Sequence, residues 1–225
     1  MRWIPLVFHW GIGHTDVMNF PIVIRRVVIV GIILGGGLLI RHWYVRITDD
    51  LLAKTTLKNA RVIYSALCAY SEMHDGNFPT AEHTSNEAFR ELFKAGLVED
   101  EVFFFVKGSA WHGEATAPDR KIGDAANGFA EAVGPGENHY AYTSGLNAAT
   151  SHPALPLIMD GFTDVIGTWC DDPTTRGGIR SGRFHIIGQV GGNAKIYDDM
   201  KPSQAILDFV KIVPGAKLLN PDPPK

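Results

Sequence analysis

Fourteen consecutive residues, Val27 to Ile40, carry no charge, and arginines bound the run at both ends, Arg25 and Arg26 before it and Arg41 after it. As a helix the run spans roughly 21 Å at about 1.5 Å per residue, short of a hydrocarbon core about 30 Å thick. The arginines close that gap, because their alkyl stems can lie in hydrocarbon while the guanidinium groups reach the headgroups. Trp43 and Tyr44 follow, at the depth where amphipathic aromatics settle. A run of this length also suits a buried helix or the apolar region of a secretory signal. Paired arginines and a Trp-Tyr pair do not suit a dry core, however, and Arg41-His42-Trp43-Tyr44 offers no small-residue cleavage site. The reading is a membrane-spanning segment over residues 21–45, kept as an uncleaved, single-pass signal anchor.

Arg2, Arg25 and Arg26 precede the span with only Asp16 against them, which favours a cytoplasmic N-terminus. Arg41 and Arg46 pull the other way. The expected location is the cell inner membrane, with residues 1–20 as an N-terminal tail and the rest in the periplasm. Gly31 and Gly35 carry the G-x-x-x-G spacing that lets two helices approach closely in lipid. Beyond the span the same helix changes character. Ala60, Ile63, Leu67, Tyr70 and Met73 recur at three- and four-residue intervals, a single buried face. It must stop near His74, because Asp75-Gly76-Asn77-Phe78-Pro79 is turn chemistry ending in a residue without an N–H. One helix from Pro21 to Met73 is predicted, apolar first and amphipathic afterwards.

Residues 46–213 then form a head, with 214–225 as a Pro-rich, flexible tail. A second helix starts at Ser85 as its cap, buries Ala88, Phe89, Leu92 and Phe93, and stops at Gly96. Strands are predicted over 101–106, 139–143, 155–159, 184–190 and 194–197, the last two joined by a hairpin through Gly191-Gly192. Pro156 marks an edge or a bulge. Residues 108–138 and 160–182 read as long loops, and Ser203 as the cap of a last helix carrying Ile206, Phe209, Val210 and Val213. Segregated helices and an antiparallel sheet of four or five strands make the fold class α+β, a long N-terminal helix packed on a small sheet. Charge is uneven. Residues 1–46 hold five arginines against one acid, whereas the remainder holds 16 basic and 23 acidic groups. A head that acidic argues against nucleic acid as its partner. Two cysteines, Cys68 and Cys170, make no zinc cluster or disulfide scaffold, though the two can pair in an oxidising compartment.

The helix exit Ala69-Tyr70 with His74-Asp75-Gly76-Asn77-Phe78-Pro79 resembles that of type IV pilins and the pseudopilins of type II secretion. Ser85-Asn-Glu-Ala-Phe-Arg-Glu-Leu-Phe93, Lys107-Gly-Ser-Ala-Trp111, Gly136-Glu-Asn-His-Tyr-Ala-Tyr142, Pro156-Leu-Ile-Met-Asp-Gly161 and the hairpin at Gly191-Gly192 are similar to a branch of pseudopilin-like proteins from environmental bacteria. The resemblance covers roughly residues 51–197. It implies a subunit that packs laterally with its own kind or with other pilin-like subunits, bound to membrane lipid and without catalysis. The N-terminus departs from the pattern. Asn19 stands where prepilins carry the Gly before the cut, and Ile24 where they carry the Glu that can neutralise the new terminal amine. The alternative is therefore a non-filamentous envelope binding protein that uses the same head on an ordinary anchor.

Chemistry is sparse. No cofactor is expected, with one exception. Asp164, Asp171 and Asp172 supply the hard oxygen donors calcium prefers, and the resemblance implies calcium in a comparable late loop; turn acids in water would look the same. His139, His152 and His185 can converge with Asp160 near strand ends, without a ligand motif. Ser109 and His112 lie close in sequence but lack an elbow motif or a third partner. Trp111, Tyr140, Tyr142 and Trp169 can either line a groove or pack a small sheet. No catalytic residue is assigned.

Overall fold

The structure, a computed structural model, describes residues 20–170, 172, 174–177, 185–197, 207–208 and 210–224, with side chains from residue 35 onward. The chain divides into two compact units, Met1–Thr48 and Asp49–Lys225. Helix α1, Phe20–Met73, is 54 residues long and contributes to both. The tail over residues 1–19 lies outside the described residues, as do the side chains of Val27–Leu34 in the predicted span. Among the described residues no helix is long and apolar enough to cross a membrane.

In the second unit the amphipathic reading of α1 holds for its middle turns but not its end, where Tyr70 is half-buried and Met73 is 62% exposed. Ala60, Ile63 and Leu67 are fully buried, each a helical turn from the next. The helix ends as expected, with the Gly76 amide donating back to Ser71 O at 2.8 Å. Helix α2, Ser85–Lys94, buries Ala88, Phe89, Leu92 and Phe93. It closes in a Schellman arrangement, Gly96 N to Phe93 O and Leu97 N to Leu92 O, both 2.9 Å, with Gly96 at φ +67°. Its start differs from expectation. Thr84 occupies the cap without bonding the helix amides; its hydroxyl donates instead to Asp222 Oδ2 at 3.3 Å. The Ser85 hydroxyl instead donates to Tyr140 O at 2.7 Å. Glu87 Oε2 accepts from His83 N at 3.1 Å and Glu82 N at 3.2 Å, reaching past the cap to the two residues before it, where the acid of a capping box would reach the cap's own amide.

Five antiparallel strands, β1 Tyr140–Ser144, β2 Pro156–Asp160, β3 His185–Gln189, β4 Ala194–Tyr197 and β5 Lys217–Leu219, form one sheet in the order β4-β3-β2-β1-β5. Both faces are covered. Tyr140, Tyr142, Ile158 and Ile186 face the core with α1 and α2, while Ala141, Met159 and Ile187 pack with Phe162, Trp169 and Leu207. That is why the β2 segment reads as a short apolar run, and why all five residues of β1 are buried although its sequence alternates. Pro156 sits where the β2–β3 register shifts, so the bulge reading of that residue is the right one. The β3–β4 hairpin forms through Gly191-Gly192, with Gly192 N donating to Gln189 O at 2.9 Å.

Two expectations fail. Residues 101–106 are not a strand; Glu101–Phe103 is a 3₁₀ turn capped by Asp100, whose carboxylate accepts from Val102 N at 3.0 Å. The segment's backbone groups bond to loops instead of a ladder, Phe104 O accepting from His139 N and His112 Nε2 from Val106 N, both at 3.0 Å. The C-terminal residues are not a flexible tail. Lys217–Leu219 supplies the edge strand beside β1, with Leu219 fully buried. Beyond it, Asn220 O accepts from Ser85 N at 2.9 Å and Asp222 O from Gly136 N at 3.0 Å. The final helix is described only at Leu207, Asp208 and Val210; Ser203, Ile206 and Phe209 lie outside the described residues.

Leu67→Ala should cost about 2–5 kcal/mol in a denaturant titration of the full-length chain. A pH dependence tests the α2 cap. Burial is the largest single influence on the Glu87 carboxyl and pushes its pKa up, but amide bonds from His83, Glu82 and Thr84, with the His83 charge, bring it below the usual 4.5. A lowered folded value means that its contribution is present above pH 4.5 and is lost as pH falls through that lower value. The stability gap between wild type and Glu87→Gln should therefore be widest above pH 4.5 and shrink on acidification.

Candidate functional site

Polar chemistry gathers where the 108–112 turn meets the ends of three strands. Ser109 caps a 3₁₀ turn over Ala110–His112, its Oγ accepting from Trp111 N at 3.2 Å. The same Oγ lies 2.7 Å from His139 Nδ1, and His139 Nε2 lies 2.9 Å from Asp160 Oδ1. Asp160 Oδ2 in turn accepts from Ile186 N at 3.0 Å. Every direction is satisfied by a neutral imidazole: Ser109 donates to Nδ1, and Nε2–H donates to the carboxylate. Register explains the meeting. Tyr140 pairs with Asp160, so His139 falls just outside β1 against the last residue of β2.

A serine, a histidine and a carboxylate in line can move a proton. Here, though, Ser109 is only 8% exposed. The neighbouring surface grooves are lined by other residues. One of about 430 Å³ is bordered by Ala110, Thr163, Asp164, Thr174, Thr175 and Arg176. Another, of about 490 Å³, lies between Leu52–Asn59 of α1 and segments 102–107 and 116–120. What the chain does in the fold is plain: it fastens a long excursion to β1, β2 and β3.

The predicted groups sort as follows. His139 meets Asp160, as anticipated. His185 does not join them directly; it is buried and stacks between Trp169 and Tyr197, at centroid distances of 4.6 Å and 5.7 Å. His152 is exposed, with Nδ1 accepting from Ala154 N at 3.2 Å. His112 turns away from Ser109 to bond Gly136 O at 2.8 Å. Of the calcium-loop acids, Asp164 pairs with Arg176 at 3.1 Å, and Asp172 Oδ1 accepts from Thr174 N at 2.9 Å and Thr174 Oγ1 at 2.6 Å. Asp171 lies outside the described residues. Gly35 is described and has no atom within 4 Å of where a Cβ would sit, whereas the surroundings of Gly31 are not described. Trp111, Tyr140, Tyr142 and Trp169 are all buried, so packing rather than a groove accounts for them. Cys68 and Cys170 are both free thiols.

Sequence reasoning weighed Ser109 only against the nearby His112 and set that pair aside; the histidine it meets, His139, is 30 positions away and is brought in by strand register. It also missed Glu101, Asp119 and Glu137, whose carboxylates come together from three separate segments. Their spacing in the chain follows no ligand pattern, so no local signal marked them. Comparison with protein-family models, curated proteins and solved structures finds no match to this chain.

Asp160→Ala leaves the His139 imidazole and the Ile186 amide without their acceptor, and should cost at least about 1–3 kcal/mol. Gly161→Ala should destabilise through overpacking by about 1–3 kcal/mol. Its Cβ would fall 2.3 Å from Trp111 Nε1 and 2.8 Å from His139 O. Chemical denaturation of each variant measures both effects.

Proposed function

We propose that this chain is a membrane-anchored, pilin-like structural or assembly subunit of a type IV pilus or a type II secretion-like system. It sits as a single-pass protein in the inner membrane, with a head outside the cytoplasm that is not an enzyme. The observation that carries the reading is the state of α1 before Thr48. Leu38, Leu39, Ile40, Trp43 and Tyr44 are 67–72% exposed. Three successive apolar residues point about 100° apart around a helix, so no single protein face hides them. Lipid or the equivalent segments of neighbouring subunits would. The uncharged run continues back to Val27, and Gly31 with Gly35 supplies a close-packing edge for self-association. The long helix leading into an α+β head also agrees with the resemblance noted above.

A second reading rests on Asn19 and Ile24, which replace the Gly and Glu of a prepilin start. On that ground the same head on an ordinary signal anchor would be a non-filamentous envelope binding protein.

The full-length chain should sediment with membranes and resist alkaline carbonate. Replacing Leu38, Leu39 and Ile40 together by Asp should raise the extractable fraction at least about tenfold, each buried charge near the span costing up to about 3 kcal/mol. A wild-type chain that washes off freely ends the anchored reading. Mass measurement of the mature N-terminus separates the two functions: a chain starting at Phe20 with a modified amine favours the filament subunit, and an intact Met1 favours the binding protein.

A further inference from the structure

Glu101, Asp119 and Glu137 each offer a carboxylate oxygen, and the three atoms lie within 4.8 Å of one another. Glu101 begins the 3₁₀ turn after Asp100, Asp119 lies in the middle of the excursion, and Glu137 precedes β1. Backbone bonds hold two of the three in place. Glu137 accepts from Asp119 N and Gly134 N, both at 2.8 Å. Glu101 Oε1 accepts from Val133 N. Its other oxygen, Oε2, is buried and has no hydrogen-bond partner among the described residues, on a residue that is 0% exposed.

An unpartnered carboxylate oxygen at such depth carries a desolvation cost that its surroundings do not offset. The neighbours aggravate it. Besides its own burial, the Glu101 carboxyl has the Glu137, Asp119 and Asp100 carboxylates for electrostatic neighbours. A cation at the convergence point reverses the sign of that neighbourhood and offers the Glu101 carboxylate a partner. Among the described residues the ion pair at the cluster is that of the exposed Lys121 ammonium, 3.7 Å from Asp119 Oδ2, and none is formed by Glu101 or Glu137.

We propose that Glu101, Asp119 and Glu137 hold a divalent cation of calcium size. The donor set is all hard oxygen, and ligand oxygens up to 4.8 Å apart fit metal–oxygen bonds of about 2.3–2.6 Å. Magnesium, which demands near-ideal octahedral geometry and dehydrates reluctantly, suits a three-carboxylate set drawn from separate segments less well. The exposed position of Asp119 leaves room for water to complete the shell. The site ties the Glu101 turn, the excursion and the entry to β1 into one rigid piece. It is distinct from Asp164, Asp171 and Asp172, and it does not depend on how the chain is anchored.

The test is a calcium titration of the full-length protein, followed by calorimetry and thermal melting, with EDTA and magnesium arms. One equivalent of calcium should bind with a dissociation constant of about 10⁻⁴–10⁻³ M, as in extracellular modules, and raise Tm where magnesium does not. Asp119→Asn changes an exposed group and should keep the fold while weakening calcium at least about tenfold. Glu101→Gln should do the same, and Asp164→Asn should leave binding unchanged. The proposal is overturned if wild type shows no calcium response up to about 10 mM, or if magnesium acts equally. It is also overturned if binding survives undiminished in Asp119→Asn, or is lost in Asp164→Asn instead. Should Glu101→Gln fail to fold, the Asp119→Asn result decides.

Discussion

Everything in the head is arranged around the face that α1 turns toward the sheet. Burying Ile63 and Leu67 is worth about 1.5–3 kcal/mol apiece, and Ala60 lets the backbone come close enough for that contact. Apolar burial has no direction of its own. Direction comes from side chains that cross the interface to backbone carbonyls. Tyr140 Oη donates to Thr56 O at 3.0 Å, Tyr64 Oη to Val190 O at 2.7 Å, and Arg61 to Ala194 O at 3.3 Å. These bonds reach β1 and the β3–β4 hairpin from one helix, and so fix which strands lie over which turn.

The opposite requirement, covering the far side of the sheet and its edge, falls to residues distant in sequence. Phe162, Trp169 and Leu207 close the second face, and β5 pairs with β1. The N-terminus of α2 links the two layers. Asn138 Nδ2 bonds Asn86 Oδ1 and Ser85 Oγ at 2.9 Å, Asn86 Nδ2 reaches Val133 O at 2.8 Å, and Asp222 N reaches Asn86 Oδ1 at 3.1 Å. A buried polar network of this kind tolerates no missing member, since each orphaned group costs what it cannot recover from water. It places the chain's last residues where an ordinary tail would be free.

Periodicity made the regular parts legible before any coordinates. Ala60, Ile63 and Leu67 marked the helix, Gly96 its neighbour's end, and Gly191-Gly192 the hairpin, because in each case the local pattern and the tertiary result agree. Where they disagree, tertiary partners decide. Val102-Phe-Phe-Phe-Val106 has every β-propensity, yet Asp100 caps a 3₁₀ turn and the ladder position beside β1 goes to Lys217–Leu219. A strand of three residues, among the five between Gly215 and Pro221, is too short to announce itself. Side-chain meetings were the least legible part. Ser109 with His139, and Glu101 with Glu137, depend on register and on an excursion whose turns no period describes.

That excursion is long enough to be taken for a free loop, and its packing argues otherwise. Trp111, His112, Ala132, Val133 and Asn138 are all buried, and the Ser109–His139–Asp160 chain anchors its first turn to the sheet. A loop held at both ends by buried groups presents a fixed outer surface, with little entropy left to lose when something docks on it. A subunit that must meet identical neighbours in one geometry needs that property, as does a receptor for a single ligand. The two roles diverge before Thr48. There, the apolar residues around Leu39 and Trp43 have no cover within the described chain, and burial in lipid or against like helices is the outcome their chemistry favours.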